Sequence, residues 1–248
     1  MEKTNSQVVA FTRKEDLIAA KYDKNYDEVI SNDICLLSND SIQDFIENHT
    51  ILSQQKVKNN DILIAHPFKP NTYLGIETNT DDIQIDKLND FAYIAQLLGA
   101  TKFKVTQVTE DFTSKINEAD ANIQTKAGGG GAGFKQEASE NTKKKYIKEL
   151  SYPGAQPNYE EAYKELMNTG LFIDSQVKNL VKSRNPEKVN NNLNKNQIIA
   201  FSVTSEINNN LDIAANLSAL GGTLNISSGF KRRVETKSKI ELTIEIEF

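Results

Sequence analysis

The sequence has no tryptophan, one cysteine and only two histidines. The single Cys35 cannot form an internal disulfide, which fits a reducing compartment, and its apolar neighbours predict a buried small side chain. His49 and His66 have no partners at metal-ligand spacing, and His66 precedes Pro67, which predicts a structural turn residue. Nucleophile-elbow, zincin and kinase patterns are all missing. We therefore predict that the protein is not an enzyme and has no cofactor or metal.

Long apolar runs are also missing. No stretch approaches the ~18 consecutive apolar residues of a transmembrane helix, and the N-terminus lacks the apolar core of a signal peptide. A cytoplasmic, soluble form is expected. The net charge of −5 and the lack of a recognition motif make nucleic acid a poor partner.

The most informative segment is residues 201–248, where polar and apolar residues alternate. Apolar side chains occupy mostly odd positions from Phe201 to Ala219, and mostly even positions from Leu224 to Phe248. A period of two is typical of a β-strand. Gly221 and Gly222 suit a two-residue hairpin turn because both positions accept a positive φ. The pattern predicts one long β-hairpin over about residues 198–248.

A two-residue turn at Gly221–Gly222 also fixes which residues face each other, and we call this pairing the Gly-Gly register. It places these pairs opposite one another: Ala219 and Leu224, Ile213 and Phe230, Phe201 and Leu242 on the apolar face, and Asp212 and Lys231, Glu206 and Lys237 on the polar face. Opposite charges facing each other across two strands stabilise a sheet.

Strands this long would run about 60 to 85 Å, whereas ordinary strands have about five or six residues. No charged residue occurs from Ile213 to Phe230, so a bilayer would tolerate the turn end. The residues predicted to face lipid are Ile213, Ala215, Leu217, Ala219, Leu224, Ile226 and Phe230. Those predicted to face a water-filled lumen are Asn216, Ser218, Asn225 and Ser227. The alternative is a bent hairpin that wraps a helix and forms an ordinary core.

A second, weaker hairpin is predicted over about residues 102–148. Its tip is the run Gly128, Gly129, Gly130 and Gly131, and a phase slip between Gln107 and Phe112 indicates a β-bulge or bend. A helix at 89–98, closed by Gly99, precedes it. Before the other hairpin, Asn158 and Asp174 have the positions of N-caps for two helices, with Gly170 ending the first.

The first 88 residues predict short helices near 14–21 and 40–48 and a small hairpin from 61–65 and 72–77. The implied fold class is α+β, with an antiparallel twisted sheet built from the two long hairpins and helices packed on it. The predicted organisation is an α/β N-terminal region, 1–88, packed on the sheet of one continuous domain, 89–248. That domain has two helix-plus-hairpin halves, 89–150 and 157–248.

Two basic clusters fall on the predicted return strands. They are Lys143, Lys144 and Lys145 in the first hairpin, and Lys231, Arg232 and Arg233 in the second. Near an anionic membrane each basic residue contributes about 1 kcal/mol of attraction, so head-group contacts are predicted. A solvated strand face is the alternative.

Two long hairpins with uncharged tips, separated by helices and preceded by an α/β region, resemble gasdermin and perforin-like (MACPF) pore-forming domains over about residues 88–248. The resemblance is one of arrangement. It implies a homo-oligomer whose hairpins join in a membrane barrel, as in a toxin or a bacterial defence effector. The alternative function is an intracellular binding or scaffold protein whose long sheet is a permanent interface with a partner or with other copies.

Overall fold

The computed structural model describes residues 6–53, 55–112, 142–189, 194–220, 224, 228–235 and 237–248. The fold class is α+β, as predicted, with two sheets that are mostly antiparallel. The chain forms two compact units. Unit 1 contains the described residues of 6–79 and 205–237, and unit 2 contains those of 80–112, 142–204 and 238–248. The first boundary lies between residues 79 and 80 rather than at the predicted residue 88, and residues 205–237 group with the N-terminal residues rather than with the predicted domain 89–248.

Unit 1 is built on a five-stranded sheet of order β2-β1-β4-β5-β3. Its strands are β1 (Val8–Thr12), β2 (Ile34–Ser38), β3 (Thr50–Leu52), β4 (Ile62–Ala65) and β5 (Thr72–Gly75). The antiparallel pair β4 and β5 confirms the small predicted hairpin. The helices of this N-terminal part are Lys14–Ala20, Tyr26–Val29 and Ile42–Asn48, with a 3-10 turn at Asn39–Ser41.

One face of this sheet packs on the helix Ile42–Asn48. Phe45 from that helix sits among Val9, Phe11, Leu63 and Tyr73, and its ring makes edge contacts with Phe11 and Tyr73. Strand residues alternate between the two faces of a sheet. The neighbours of these residues in sequence therefore point to the opposite face, where they too are buried.

Unit 2 contains a four-stranded antiparallel sheet of order β7-β6-β9-β8. Its strands are β6 (Lys102–Phe112), β7 (Glu149–Ser151), β8 (Asn196–Ser202) and β9 (Ser238–Glu247). Its helices are Asp81–Leu97, 142–146, Tyr159–Asn168, Ser175–Ser183 and Pro186–Val189, with a 3-10 turn at Leu171–Ile173. Phe91 contacts both Phe103 and Phe201 in its core.

Local helix signals in the sequence were good predictors in unit 2. The Asn158 side chain accepts a hydrogen bond from the Glu161 amide, and Asp174 accepts from the amides of Gln176 and Val177. Gly170 has a φ of 75°. Each cap therefore lies where the sequence indicated. The helix before Gly99 begins at Asp81 rather than near residue 89.

The first predicted hairpin, over about residues 102–148, has a paired base, but β6 pairs there with β7, which begins just past the predicted end. A register shift between Val105 and Gln107 confirms a bulge, slightly earlier than the sequence indicated. The predicted return strand is wrong at 142–146, which is helical. The predicted tip, Gly128 to Gly131, lies outside the described residues.

The second predicted hairpin is correct at its base and wrong in its middle. β8 pairs with β9 in the Gly-Gly register, so that Phe201 lies opposite Leu242. Between these strands the chain instead forms an α-helix at Ser205–Ala215, a 3-10 helix at Asn216–Leu220 and an α-helix at Ser228–Glu235. We call residues 205–237 the insertion.

The insertion is helical because its apolar residues also satisfy a helical spacing. Ile207, Leu211 and Ala214 are three or four residues apart and are buried together on one side of the helix Ser205–Ala215. A spacing of three and four places residues on a single helix face. That face packs on β1 and β4 of the unit 1 sheet. The N-terminal region thus supplies the apolar surface that the isolated pattern did not reveal.

Candidate functional site

The side chains of the two histidines and of the cysteine contribute to turn structure and packing. The buried His66 accepts hydrogen bonds at Nδ1 from the amides of Phe68, at 3.1 Å, and Lys69, at 3.0 Å, which confirms its predicted role in a turn. Burial, with a smaller effect of the Lys69 charge, lowers the pKa of His66 to about 4. His49 stacks on Phe45, and burial raises the pKa of the half-buried Cys35 thiol. In the part of the chain that the structure describes, no cluster of acidic, histidine and cysteine side chains could hold a metal ion.

The most distinctive feature is the start of the insertion, where pairing of β8 with β9 stops. The amide of Val203 donates to the carbonyl of Ile240 at 3.1 Å. The amide of Ile240 should return a bond to the Val203 carbonyl if the ladder continued, but it donates to the Thr204 hydroxyl at 3.0 Å. Thr204 is only 2% exposed. A side chain therefore replaces the backbone acceptor at the point where strand changes to helix.

A buried lysine holds the last residue of β8. Lys87 Nζ donates to the carbonyl of Ser202 at 2.5 Å and pairs with the Asp174 carboxylate at 3.0 Å. It also lies 4.6 Å from the centre of the Phe201 ring. Because the lysine side chain is fully buried, these partners replace the water that would otherwise contact its Nζ. The end of β8 is thus tied to the long helix Asp81–Leu97.

The body of the insertion is fixed to the N-terminal sheet by polar contacts as well as apolar ones. The buried Asn210 donates from Nδ2 to the carbonyl of Ala65, at the end of β4, at 2.8 Å. Asn209 reaches the Gln7 side chain, and Asn25 donates to the carbonyl of Ala219, both at 3.4 Å. Leu217 and Leu224 meet residues of β1 and β4 around a small gap.

The residues predicted to face lipid do not share one surface in this structure. Leu217, Leu224 and Phe230 are buried, Ile213 and Ala215 are half-buried, and Ala219 is exposed. The prediction of a single apolar face is therefore wrong for this conformation, because the segment follows a helical period. Gly221, Gly222 and Ile226 lie outside the described residues, as do Asn225 and Ser227.

The two basic clusters are on helices rather than on return strands. Lys143, Lys144 and Lys145 are exposed on the helix 142–146, where Lys145 pairs with Asp81. In the other cluster, on the helix Ser228–Glu235, Lys231 and Arg232 are exposed and Arg233 is half-buried. Asp212 forms an ion pair with Lys237 instead of the predicted Lys231.

A groove of about 190 Å³ opens in unit 1 between Ser53, Lys58, Asp61 and Glu77. Lys58 already bonds the Gln55 side chain through Nζ, and its amide donates to the Asp61 carboxylate at 2.7 Å. Three of the polar residues that line the groove therefore bond to one another, and we assign it no ligand.

Sequence reasoning missed Thr204, Lys87 and Asn210. Thr204 lies on the polar side of the alternation, and Asn210 is one of three successive asparagines. Neither position has a local signal that distinguishes it. Lys87 lies four residues after Ile83 and four before Phe91, on the buried side of the helix Asp81–Leu97. This helical spacing was its only sequence signal.

None of the helices in the described ranges is both long and apolar enough to cross a membrane. Comparisons with protein-family models, with curated proteins and with solved structures find no match to this chain. The function must be inferred from the geometry of this chain.

Proposed function

We propose that this protein oligomerises and forms a membrane pore by converting the insertion into a β-hairpin that continues the β8–β9 ladder. One observation carries the proposal. The pairing of Phe201 with Leu242 at the base, continued residue by residue, reaches a two-residue turn at Gly221–Gly222. The register comes from the folded strands and the turn comes from the sequence, so their agreement has two independent sources.

The uncharged part of such a hairpin has the size of a membrane span. Residues 213–220 and 223–230 form its two legs, each about 26 Å long at ~3.3 Å per residue. Transmembrane barrels have an outward apolar band about 25 Å tall. Ile213, Ala215 and Leu217 would face lipid on one leg, while Asn216 and Ser218 face the lumen.

The base of each hairpin is already present. β6 with β7, and β8 with β9, form one sheet in which β6 and β9 are neighbours. Two hairpins that grow from these bases would therefore lie side by side in a continuous sheet. This supports a shared barrel strand order, in which the four strands of unit 2 keep their places while the helix 142–146 unwinds to lengthen β7.

Oligomerisation follows from backbone chemistry. A hairpin in hydrocarbon has unpaired amides and carbonyls on both outer edges, and each costs several kcal/mol. Only a closed barrel satisfies them all. Two hairpins per chain are too few to close around a water-filled channel, so several copies of the chain must contribute.

The charged residues fit the same transition. Lys231, Arg232 and Arg233 follow Phe230 directly, at the end of the uncharged span, where head groups would lie. Asp212, which pairs with Lys237 in the compact form, would pair with Lys231 across the strands. The Asp212 carboxylate therefore has a cationic partner in both forms.

The test is dye release from vesicles of phosphatidylcholine and phosphatidylglycerol, with a matched pair of double variants. Ala215→Lys/Ala219→Lys places two charges on the lipid face, and Asn216→Lys/Ser218→Lys places them on the lumen face. Ala219, Asn216 and Ser218 are exposed and Ala215 is half-buried, so all four positions accept lysine in the compact form. A lysine on the lipid face costs about 2–4 kcal/mol at the bilayer centre and less towards either interface, so two lysines are introduced together.

We expect the wild-type protein and the lumen-face variant to release dye, and the lipid-face variant to release little. Equal release by the two double variants would contradict the hairpin. Circular dichroism before vesicles are added provides the folding control, since both variants should match the wild type there.

A further inference from the structure

We infer that the sheet β1–β5 is a clamp that holds the insertion in its helical form, and that detachment from this clamp controls pore formation. The second part rests on the function proposed above. The first part concerns the compact protein alone and can be tested without a membrane.

The apolar part of the clamp is the sheet face opposite the Phe45 cluster. Ala10, Thr12 and Ile62 line a small gap with Leu217 and Leu224 of the insertion. All five side chains are buried. The same two leucines would face lipid in the hairpin, so the clamp covers the residues that a membrane would take over.

The polar part of the clamp fixes one docking position. Asn210 is 6% exposed, and its Nδ2 reaches the Ala65 carbonyl at 2.8 Å. A buried amide needs such a partner, because water cannot replace it. A shift of the helix Ser205–Ala215 along the sheet would break this bond, which makes the contact specific for one arrangement.

The alternation of the sequence allows the clamp to be weakened without changing the lipid face of the hairpin. Asn210 and Asn216 are both on the predicted polar face, but Asn210 is buried and Asn216 is exposed. Asn210→Ala therefore removes a clamp contact, and Asn216→Ala is a control with the same chemical change in the same segment.

The first readout is amide hydrogen exchange in the isolated protein. We expect Asn210→Ala to speed exchange across residues 205–220 by about tenfold or more, which is the size expected when a buried carbonyl loses its donor. Asn216→Ala should exchange like the wild type. Equal exchange in the two variants would overturn the clamp.

The second readout is a reversible lock between the clamp and the tip of the insertion. Asn25 and Ala219 are in contact, since Asn25 Nδ2 lies 3.4 Å from the Ala219 carbonyl. In a Cys35→Ala background, Asn25→Cys and Ala219→Cys can be joined by a bismaleimide with a reducible spacer. The hairpin tip must extend about 60 Å from the Val203–Ile240 pair, which a short cross-linker prevents.

We expect the locked protein to release no dye from the vesicles described above until a reductant cuts the spacer, and Asn210→Ala to release dye faster than the wild type. Release by the locked protein would overturn the inference. If exchange responds as expected but no variant releases dye, the clamp is upheld and the proposed pore is rejected. The two failures are therefore distinguishable.

Discussion

At the end of β8, the pairing of β8 with β9 stops where the Thr204 hydroxyl replaces a backbone acceptor. The Thr204 hydroxyl accepts the Ile240 amide. In the longer β8–β9 ladder proposed above, the Val203 carbonyl would accept this amide instead. On that proposal, Thr204 stabilises the helical form and not the hairpin.

We predict that Thr204→Val lowers the free energy of unfolding by about 1–3 kcal/mol, because the buried Ile240 amide loses its acceptor. Thr204→Ser keeps the hydroxyl and should stay close to the wild type. Urea unfolding measures both, and the Ile240 amide should exchange faster in the valine variant. Equal stability of the valine and serine variants would contradict this role.

His66 makes the stability of unit 1 depend on pH. Its Nδ1 accepts two amides and cannot take a proton without losing both bonds. The folded pKa of about 4 lies below the ordinary value of 6.5, so the unfolded chain binds the proton more readily. The contribution of neutral His66 to the stability of the fold is fully present above pH 6.5 and is lost as the pH falls towards 4.

We therefore expect the free energy of unfolding to fall below pH 6.5 by at most about 1.4 kcal/mol per pH unit from this group. His66→Asn supplies an oxygen that can accept the same two amides and does not titrate. Urea unfolding at a series of pH values should show a shallower dependence in that variant. An unchanged dependence would exclude His66 as its source.

At the scale of elements, the buried pair of Lys87 and Asp174 links the long helix to the cap of another helix. Asp174 uses one oxygen for the amides of Gln176 and Val177 and the other for Lys87. Removing one charge leaves the other buried without an opposite charge beside it, which costs about 3–5 kcal/mol.

We predict losses of that size for Lys87→Met and for Asp174→Asn, measured as free energies of unfolding. Asparagine keeps the cap acceptor, so the loss in Asp174→Asn reports the charge. The double variant should recover much of the loss, because neither charge then remains. Simple addition of the two single losses would show that the groups act independently.

The helical elements with local signals were predictable from the sequence. Asn158, Gly170 and Asp174 act on backbone groups within three residues, so the neighbouring residues determine them. The base of the hairpin was predictable because β8 and β9 each alternate and their faces match in one register.

The middle of the hairpin was not predictable in the same way. Ile207 and Leu211 occupy odd positions and are also four residues apart, so their spacing permits both a strand and a helix. An isolated two-stranded ribbon is only marginally stable. The choice is made by β1 and β4, whose residues lie more than 130 positions earlier in the chain.

Asn210 illustrates the same limit at the candidate site. Its importance depends on the Ala65 carbonyl, 145 positions away in sequence. A polar residue on the polar side of an alternating strand gives no reason to expect a buried contact. The clamp could be recognised only after the two segments were placed together.

At the scale of the whole molecule, the chain leaves unit 2 after β8, packs within unit 1 as the insertion, and returns to unit 2 as β9. At this point the backbone pairing of β8 with β9 ends with the hydrogen bond between Val203 and Ile240. Thr204 and Lys239 are the next residues in the same register. The sheet therefore needs only a turn between them, and the insertion is not required for its own pairing.

We predict that a shortened chain, residues 80–248 with 205–238 replaced by Asn-Gly, folds with the unit 2 sheet intact, because Asn-Gly is the preferred two-residue hairpin turn. Its control is residues 80–248 with the insertion retained and the clamp removed. There Leu217 and Leu224 lose their cover, and exposed apolar surface of this kind promotes association. Sedimentation with and without vesicles should show a monomer for the first chain and binding or self-association for the second. Identical behaviour would mean that the N-terminal sheet does not restrain the insertion.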